Sequence, residues 1–129
     1  MGKILIVDDS VVDRLILKQY LANTAHEVIE VGEPEEALAK ISDIHPDVVL
    51  LDIVMPRMNG FEICRRLKRD EKLSRIPVVM VSAKRAKSDI FWAKKQGAED
   101  YLTKPITPET LLQTIEKWIK GRQNIQHDG

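Results

Sequence analysis

The stretch Asp52-Ile53-Val54-Met55-Pro56-Arg57-Met58-Asn59-Gly60 follows a run of four aliphatic residues, Val48 to Leu51. A strand with no polar residue on either face belongs at the centre of a sheet covered by helices on both sides. Asp52 stands where that strand opens into a loop, and the loop turns through Met55-Pro56 and Asn59-Gly60, both turn-forming pairs. A carboxylate at the end of a buried strand works against folding, so its presence points to chemistry.

Outward from this stretch, five apolar runs alternate with five helix-like segments. The expected strands are residues 4–7, 28–31, 48–51, 77–81 and 101–102. Ser10 is a suitable N-cap for the first helix, with Asp13 in its first turn and Ile16, Leu17, Tyr20 and Leu21 recurring on one face. Pro34 opens the second helix, whose stripe is Ala37, Leu38, Ile41 and Ile44 and whose end is His45-Pro46. The third starts near Gly60 with Phe61, Cys64 and Leu67 inside; the fourth covers 88–96, with Gly97 as a left-handed stop. Thr107-Pro108-Glu109 begins the last helix, with Leu111, Leu112, Ile115 and Ile119 inside. Residues 121–129 lose all periodicity and are expected as a loose tail, leaving one domain over 1–120. Regular βα alternation means an α/β fold, a parallel sheet with helices on both faces. The second strand, flanked by glutamates, suits a sheet edge.

The composition, 43% hydrophobic and 31% charged over 129 residues, is that of one soluble globular domain. The first apolar run lasts four residues and ends in two aspartates, so it is neither a signal peptide nor a membrane span. A lone Cys64 excludes an intramolecular disulfide and suits a reducing cytoplasm. The formal net charge of zero hides an asymmetry: residues 1–56 carry 11 acidic and 4 basic side chains, residues 57–95 carry 4 and 12. The acidic half suggests a cation site. The basic half reads as solvated helix faces, because no aromatic interleaving or DNA-binding segment accompanies it. His26, His45 and His127 have no partners at ligand spacing. Trp92 and Trp118 read as packing residues, and Ile90, Lys94 and Tyr101 as members of a docking face.

In open parallel sheets, ligands bind beyond the carboxyl ends of the strands. The chemically distinctive residues stand there: Asp8 and Asp9 after the first strand, Asp52 after the third, Ser82 after the fourth, and Thr103-Lys104-Pro105 after the fifth. Three converging carboxylates need a proton or a cation among them, and oxygen donors without His or Cys favour Mg2+. Lys104 brings a second positive charge, which with Mg2+ suits Asp52 to nucleophilic attack on phosphorus, while Ser82 offers a hydroxyl to a phosphoryl oxygen. The Lys104-Pro105 bond is expected to be cis, directing Lys104 toward the acidic residues.

Val7-Asp8-Asp9-Ser10, Asp52 with Met55-Pro56 and Asn59-Gly60, Val81-Ser82-Ala83 and Tyr101-Leu102-Thr103-Lys104-Pro105 together resemble the receiver domain of two-component response regulators, over residues 3–120. The resemblance implies a CheY-like, flavodoxin-like sheet of five parallel strands in the order 2-1-3-4-5. It implies Asp52 as phosphoacceptor, Mg2+ held by Asp9, Asp52 and the backbone carbonyl of Val54, and Asp8 acting through water. Ser82 would contact the phosphoryl group and Lys104 pair with it, with Ser82 and Tyr101 as the switch. The implied partners are a sensor histidine kinase or phosphotransfer domain, and a protein target on the fourth helix, fifth strand and fifth helix. Neither nucleic acid nor membrane is implied, and the chain would be a monomer or weak dimer. It would be a signalling protein that catalyses only its own phosphorylation and dephosphorylation. Phe91-Trp92-Ala93-Lys94-Lys95-Gln96-Gly97-Ala98 further resembles PilH-like regulators of twitching motility and phototaxis, and with no output domain after Lys120 the expected type is stand-alone.

Other functions meet specific obstacles. A phosphatase of the haloacid-dehalogenase type needs a second aspartate two residues after the nucleophile, where this chain has Val54. A flavodoxin cradles phosphate in the loop after the first strand, and Asp8-Asp9-Ser10 would repel it. The remaining alternative is a receiver-fold scaffold that is never phosphorylated, against which the joint presence of Asp9, Asp52, Ser82 and Lys104 argues.

Overall fold

The computed structural model describes backbone for residues 2–128 and side chains through residue 121. Five strands, β1 (Lys3–Val7), β2 (Glu27–Val31), β3 (Val48–Leu51), β4 (Val78–Ser82) and β5 (Asp100–Thr103), alternate with α1 (Val11–Leu21), α2 (Ala37–Ile44), α3 (Gly60–Arg69), α4 (Lys87–Lys95) and α5 (Pro108–Asp128). The sheet is parallel throughout, in the order β2-β1-β3-β4-β5, as expected from the resemblance.

The two-residue period of each central strand sorts its side chains into two cores. Leu5, Val7, Val49, Leu51, Val78 and Met80 point to the side covered by α2, α3 and α4, where they meet Ile41, Ile63, Cys64, Leu67 and Ala93. Ile4, Ile6, Val48, Leu50, Val79 and Val81 point to the side covered by α1 and α5, against Leu17, Leu21, Leu111, Ile115 and Ile119. Every residue of β3 is buried, as its unbroken aliphatic run requires.

Local chemistry sets the helix ends. Ser10 Oγ accepts the Asp13 N–H at 3.1 Å, and Asn59 Oδ1 accepts the Glu62 N–H at 3.0 Å, so both residues act as N-caps. His45 ends α2 with φ 49° and Gly97 follows α4 with φ 102°. Pro34 opens a single 3-10 turn, Pro34–Glu36, ahead of α2. The expectations for the inner faces of α1 and α3 need correction. Ile16, placed on the inner face of α1, is 39% exposed, because that helix buries only Leu17 and Leu21. On α3 the fully buried neighbour of Cys64 is Ile63, while Phe61 is only partly buried. The backbone of α5 runs to Asp128, while the expected loose tail, 121–129, lies almost wholly outside the described side chains. Gly129 and the side chains from 122 onward lie outside the described residues.

Gly60 ties the fold to the stretch that follows β3. Its N–H donates to Ile53 O at 2.9 Å, and a Cβ at this position would sit 2.1 Å from the Asp52 carbonyl oxygen. The clash is with backbone, so no side-chain rotation relieves it. Gly60→Ala should therefore destabilise the domain by about 1–3 kcal/mol in urea unfolding. It should also shift the amide resonances of Asp52 and Ile53; an unperturbed variant would show that the approach is not tight.

Candidate functional site

The site forms where the strands stop. Hydrogen bonding continues one step past the ladders: Asp8 N–H donates to Val31 O (3.1 Å), Asp52 N–H to Val7 O (2.9 Å) and Lys104 N–H to Ser82 O (2.9 Å). Val7 lies opposite Leu51 in register, so the residues that follow them, Asp8 and Asp52, come side by side. Further bonds fix their carboxylates. Asp8 Oδ1 accepts the Ser10 N–H at 2.9 Å, and Asp52 Oδ1 accepts the Ile53 N–H at 2.8 Å. Arg14 Nη1 holds the Asp8 carbonyl at 2.6 Å. Asp8 and Asp52 are buried and Asp9 is exposed; one carboxylate oxygen from each lies within 4.8 Å of the other two.

Charge in this cluster is unbalanced. Burial, reinforced by the charge of Asp8 and opposed by that of Lys104, pushes the Asp52 carboxyl up to about 6. Lys104 Nζ donates to Asp13 Oδ2 at 2.7 Å and to Asp8 Oδ2 at 2.9 Å, and lies 3.7 Å from Asp52 Oδ2. Burial disfavours its ammonium form, but the hydrogen bonds to Asp13 and Asp8 and the charge of Asp52 outweigh that, so its pKa is raised. One ammonium thus lies near three carboxylates, and Asp9 adds a further one to the cluster. The clustered donors are all hard oxygens, and the residual negative charge fits a small divalent cation such as Mg2+.

The other expected residues sit around this cluster. Ser82 is fully buried and its Oγ accepts the Lys84 N–H at 3.2 Å. The Tyr101 hydroxyl donates to the Lys84 carbonyl at 2.6 Å, with its ring partly buried against the core. Both expected switch residues therefore hold the backbone of Lys84, one by its N–H and one by its C=O. Val54 is 58% exposed. Lys104-Pro105 is cis, as expected.

Two features escaped the sequence reading. Asp13 was legible only as a first-turn acid, yet it makes the shortest contact to Lys104. Arg57, at φ 69°, pairs with Glu35 (2.6 Å) and Glu33 (3.0 Å), tying the loop after Asp52 to the segment entering α2. Beside the cluster a groove of about 360 Å³ lies between α1 and the chain after β5, lined by Ile16, Leu17, Tyr20, Pro105 and Ile106 together with Asp13 and Lys104.

The Asp52 shift has a definite consequence for stability. Its carboxyl titrates at about 6 in the folded protein against an ordinary value of 3.8, so between those values the folded state binds more protons than the unfolded. Stability then falls as pH rises through that window. Metal-free Asp52→Asn should be more stable than wild type at pH 8 by on the order of 1–3 kcal/mol, and the advantage should vanish below about pH 4. Urea unfolding in a chelator at both pH values checks this; an asparagine variant less stable at pH 8 contradicts it.

Comparison with known proteins agrees with this geometry. The family model described as response regulator receiver domain matches residues 4–116. The chain is 45% identical to Protein PilH of Pseudomonas aeruginosa over 121 residues, 94% of this chain and 100% of PilH. Among solved structures it is similar to the Vibrio cholerae chemotaxis protein CheY4 (TM-score 0.84, 33% identity, covering 91% of this chain and 98% of that one). It is also similar to the phosphorylated cyanobacterial phytochrome response regulator RcpA (TM-score 0.77, 32% identity, covering 90% and 89%). With the sheet order, the aligned strand ends and a family match over nearly the whole length, the chain belongs to the response regulator receiver domains.

Proposed function

We propose that this chain is a phosphoacceptor of a two-component phosphorelay, taking a phosphoryl group on Asp52 and signalling through a protein-binding face. The observation that carries the reading is a buried Asp52 carboxylate set between an acidic oxygen cluster and the Lys104 ammonium. In the reaction an Asp52 carboxylate oxygen forms a bond to phosphorus. The donor's P–N bond (phosphohistidine) or P–O bond (acetyl phosphate) breaks, and the electron pair leaves with imidazole or acetate. Lys104 neutralises charge on the phosphoryl oxygens. Asp9, Asp52 and the Val54 carbonyl would hold Mg2+, with Asp8 acting through water; the ion when bound supplies further neutralisation of phosphoryl charge.

A phosphohistidine-bearing donor domain must reach Asp52 from outside. The exposed aliphatic residues of α1 (Val11, Val12, Leu15 and Ile16) and Val54 give it apolar surface to rest on. The output face is α4, β5 and α5, where Phe91 is 59% exposed and Tyr101 is half-buried. Phosphate on Asp52 adds charge and strong acceptors. Ser82 then leaves the Lys84 N–H to bond a phosphoryl oxygen, which alters the peptide that Tyr101 holds. The likeness to PilH supports a role of the same kind as PilH's.

Incubation with acetyl phosphate and Mg2+, followed by intact-mass measurement, should add one phosphoryl group to wild type and none to Asp52→Ala. Equal incorporation in both refutes the assignment. Val54 and Lys84, two residues beyond Asp52 and Ser82, carry no carboxylate or amide to orient an attacking water, so the phosphoprotein should lose its phosphate slowly on its own. Ser82→Ala should accept phosphate yet lose most of the phosphorylation-dependent change at Tyr101 by NMR; an undiminished change would route the coupling elsewhere.

A further inference from the structure

We propose that Asp13 is a positioning residue that holds Lys104 back from Asp52 and so sets how readily the phosphoryl group is taken up and kept. The inference rests on the reading of Asp52 as phosphoacceptor. Lys104 Nζ has two carboxylates within hydrogen-bonding distance, Asp13 at 2.7 Å and Asp8 at 2.9 Å, while Asp52 at 3.7 Å is too far to accept a hydrogen bond. The lysine expected to serve the phosphoryl group is thus drawn toward a different acid, on a different element.

The local structure explains why Asp13 is available. Three residues after an N-cap serine, an acidic side chain commonly returns to the N-cap N–H. Here the Ser10 N–H is already taken by Asp8 Oδ1, while Ser10 Oγ still caps α1 through the Asp13 N–H. The Asp13 carboxylate is left over, on a helix turn whose position is fixed, and it reaches across to Lys104.

The two anchors of Lys104 are not equivalent. The Asp8 side chain is 2% exposed and is also bound by the Ser10 N–H, so it cannot yield cheaply. The Asp13 side chain is 36% exposed, and water can replace the lysine there. When phosphoryl oxygens arrive on Asp52, Asp13 is the contact that gives way. It acts as a competing acceptor, strong enough to hold the lysine in the resting protein and weak enough to be displaced. The raised pKa of Lys104, to which the Asp13 hydrogen bond contributes, agrees with this.

Beryllofluoride, a phosphoryl mimic, provides the test, titrated at saturating Mg2+ and followed by 19F NMR. Asp13→Asn should bind it about threefold to tenfold more tightly than wild type, the scale of one partly exposed charge-assisted hydrogen bond. Asp13→Glu, which keeps the charge, should stay near wild type. In a Lys104→Gln background, Asp13→Asn should have no further effect, because its action passes through the lysine. A general loosening of α1 would not depend on Lys104 in this way, and matching urea unfolding curves would confirm that the variants fold alike. Equal or weaker binding by Asp13→Asn, or an effect that persists in Lys104→Gln, overturns the inference. A wild type that takes up neither beryllofluoride nor phosphate overturns the phosphoacceptor reading and the inference with it, whereas normal uptake with an indifferent Asp13→Asn overturns the inference alone.

Discussion

The Lys104 ammonium bonds Asp13 and Asp8 and lies 3.7 Å from Asp52, and its positive charge offsets part of the repulsion among these carboxylates. Two unit charges about 4 Å apart interact by roughly 4 kcal/mol at an effective dielectric near 20. Several such repulsions together approach the whole stability of a small domain, about 5–15 kcal/mol. One lysine reduces the imbalance but cannot cancel it. Burial, together with the remaining repulsion from Asp8, leaves an Asp52 that resists ionisation, and the oxygen cluster suits a divalent cation. On the proposed function, affinity for a cation would follow from negative charge that the fold leaves uncompensated, and the cation with Lys104 would favour the anionic phosphoryl group.

Such a site persists only if the scaffold around it cannot relax. Two apolar cores clamp the central strands from both faces, and the ladder bonds run past the strand ends to the backbones of Asp8, Asp52 and Lys104. Beyond Asp52, Gly60 lets α3 press on the Asp52 carbonyl, and Arg57 pins the intervening loop to Glu33 and Glu35. At the opposite end of the sheet, Lys68 Nζ donates to Ser74 O (3.0 Å), Ile76 O (2.8 Å) and Glu99, whose Oε2 also accepts the Val78 N–H at 3.0 Å. That group fixes the entry to β4 and the approach to β5, the strands that deliver Ser82 and Lys104. Repulsion at one end of the sheet is thus resisted by packing and ion pairs elsewhere.

The strands, the sheet edge at β2 and the placement of Asp8, Asp52, Ser82 and Lys104 at the strand ends were legible because each rests on local pattern. An unbroken aliphatic run, a two-residue period, or a polar residue one step beyond a strand can be read without knowing the partner. Asp13 and Arg57 were not legible in this way, since their roles depend on partners 91 and at least 22 residues distant. The one clue to Asp13 was the sequence Asp8-Asp9-Ser10, which places an acid two residues before the N-cap and lets it capture the N–H that Asp13 would otherwise take. Ile16 failed for a different reason. Periodicity shows which face of a helix is apolar, but the width of the buried stripe is set by how the helix sits on the sheet, and α1 buries a narrow one.

The proposed switch can be weighed against what one bond supplies. A charge-assisted hydrogen bond from Ser82 to a phosphoryl oxygen is worth about 1.5–3 kcal/mol. Part of that is lost when Ser82 gives up the Lys84 N–H, a bond of 3.2 Å. At about 1.4 kcal/mol per decade, the gross gain shifts an equilibrium by roughly tenfold to a hundredfold. Reversal from 1:99 to 99:1 takes about 5.5 kcal/mol. Phosphorylation alone therefore leaves a mixture of states, more so because the Tyr101 hydroxyl already rests on the Lys84 carbonyl at 2.6 Å before any phosphate arrives. The rest of the shift has to come from a partner that prefers one arrangement of α4, β5 and α5. By linkage, a partner favoured by phosphate must favour phosphate to the same degree. On this reading the resting protein is poised rather than off, and the target takes part in setting the state it reads.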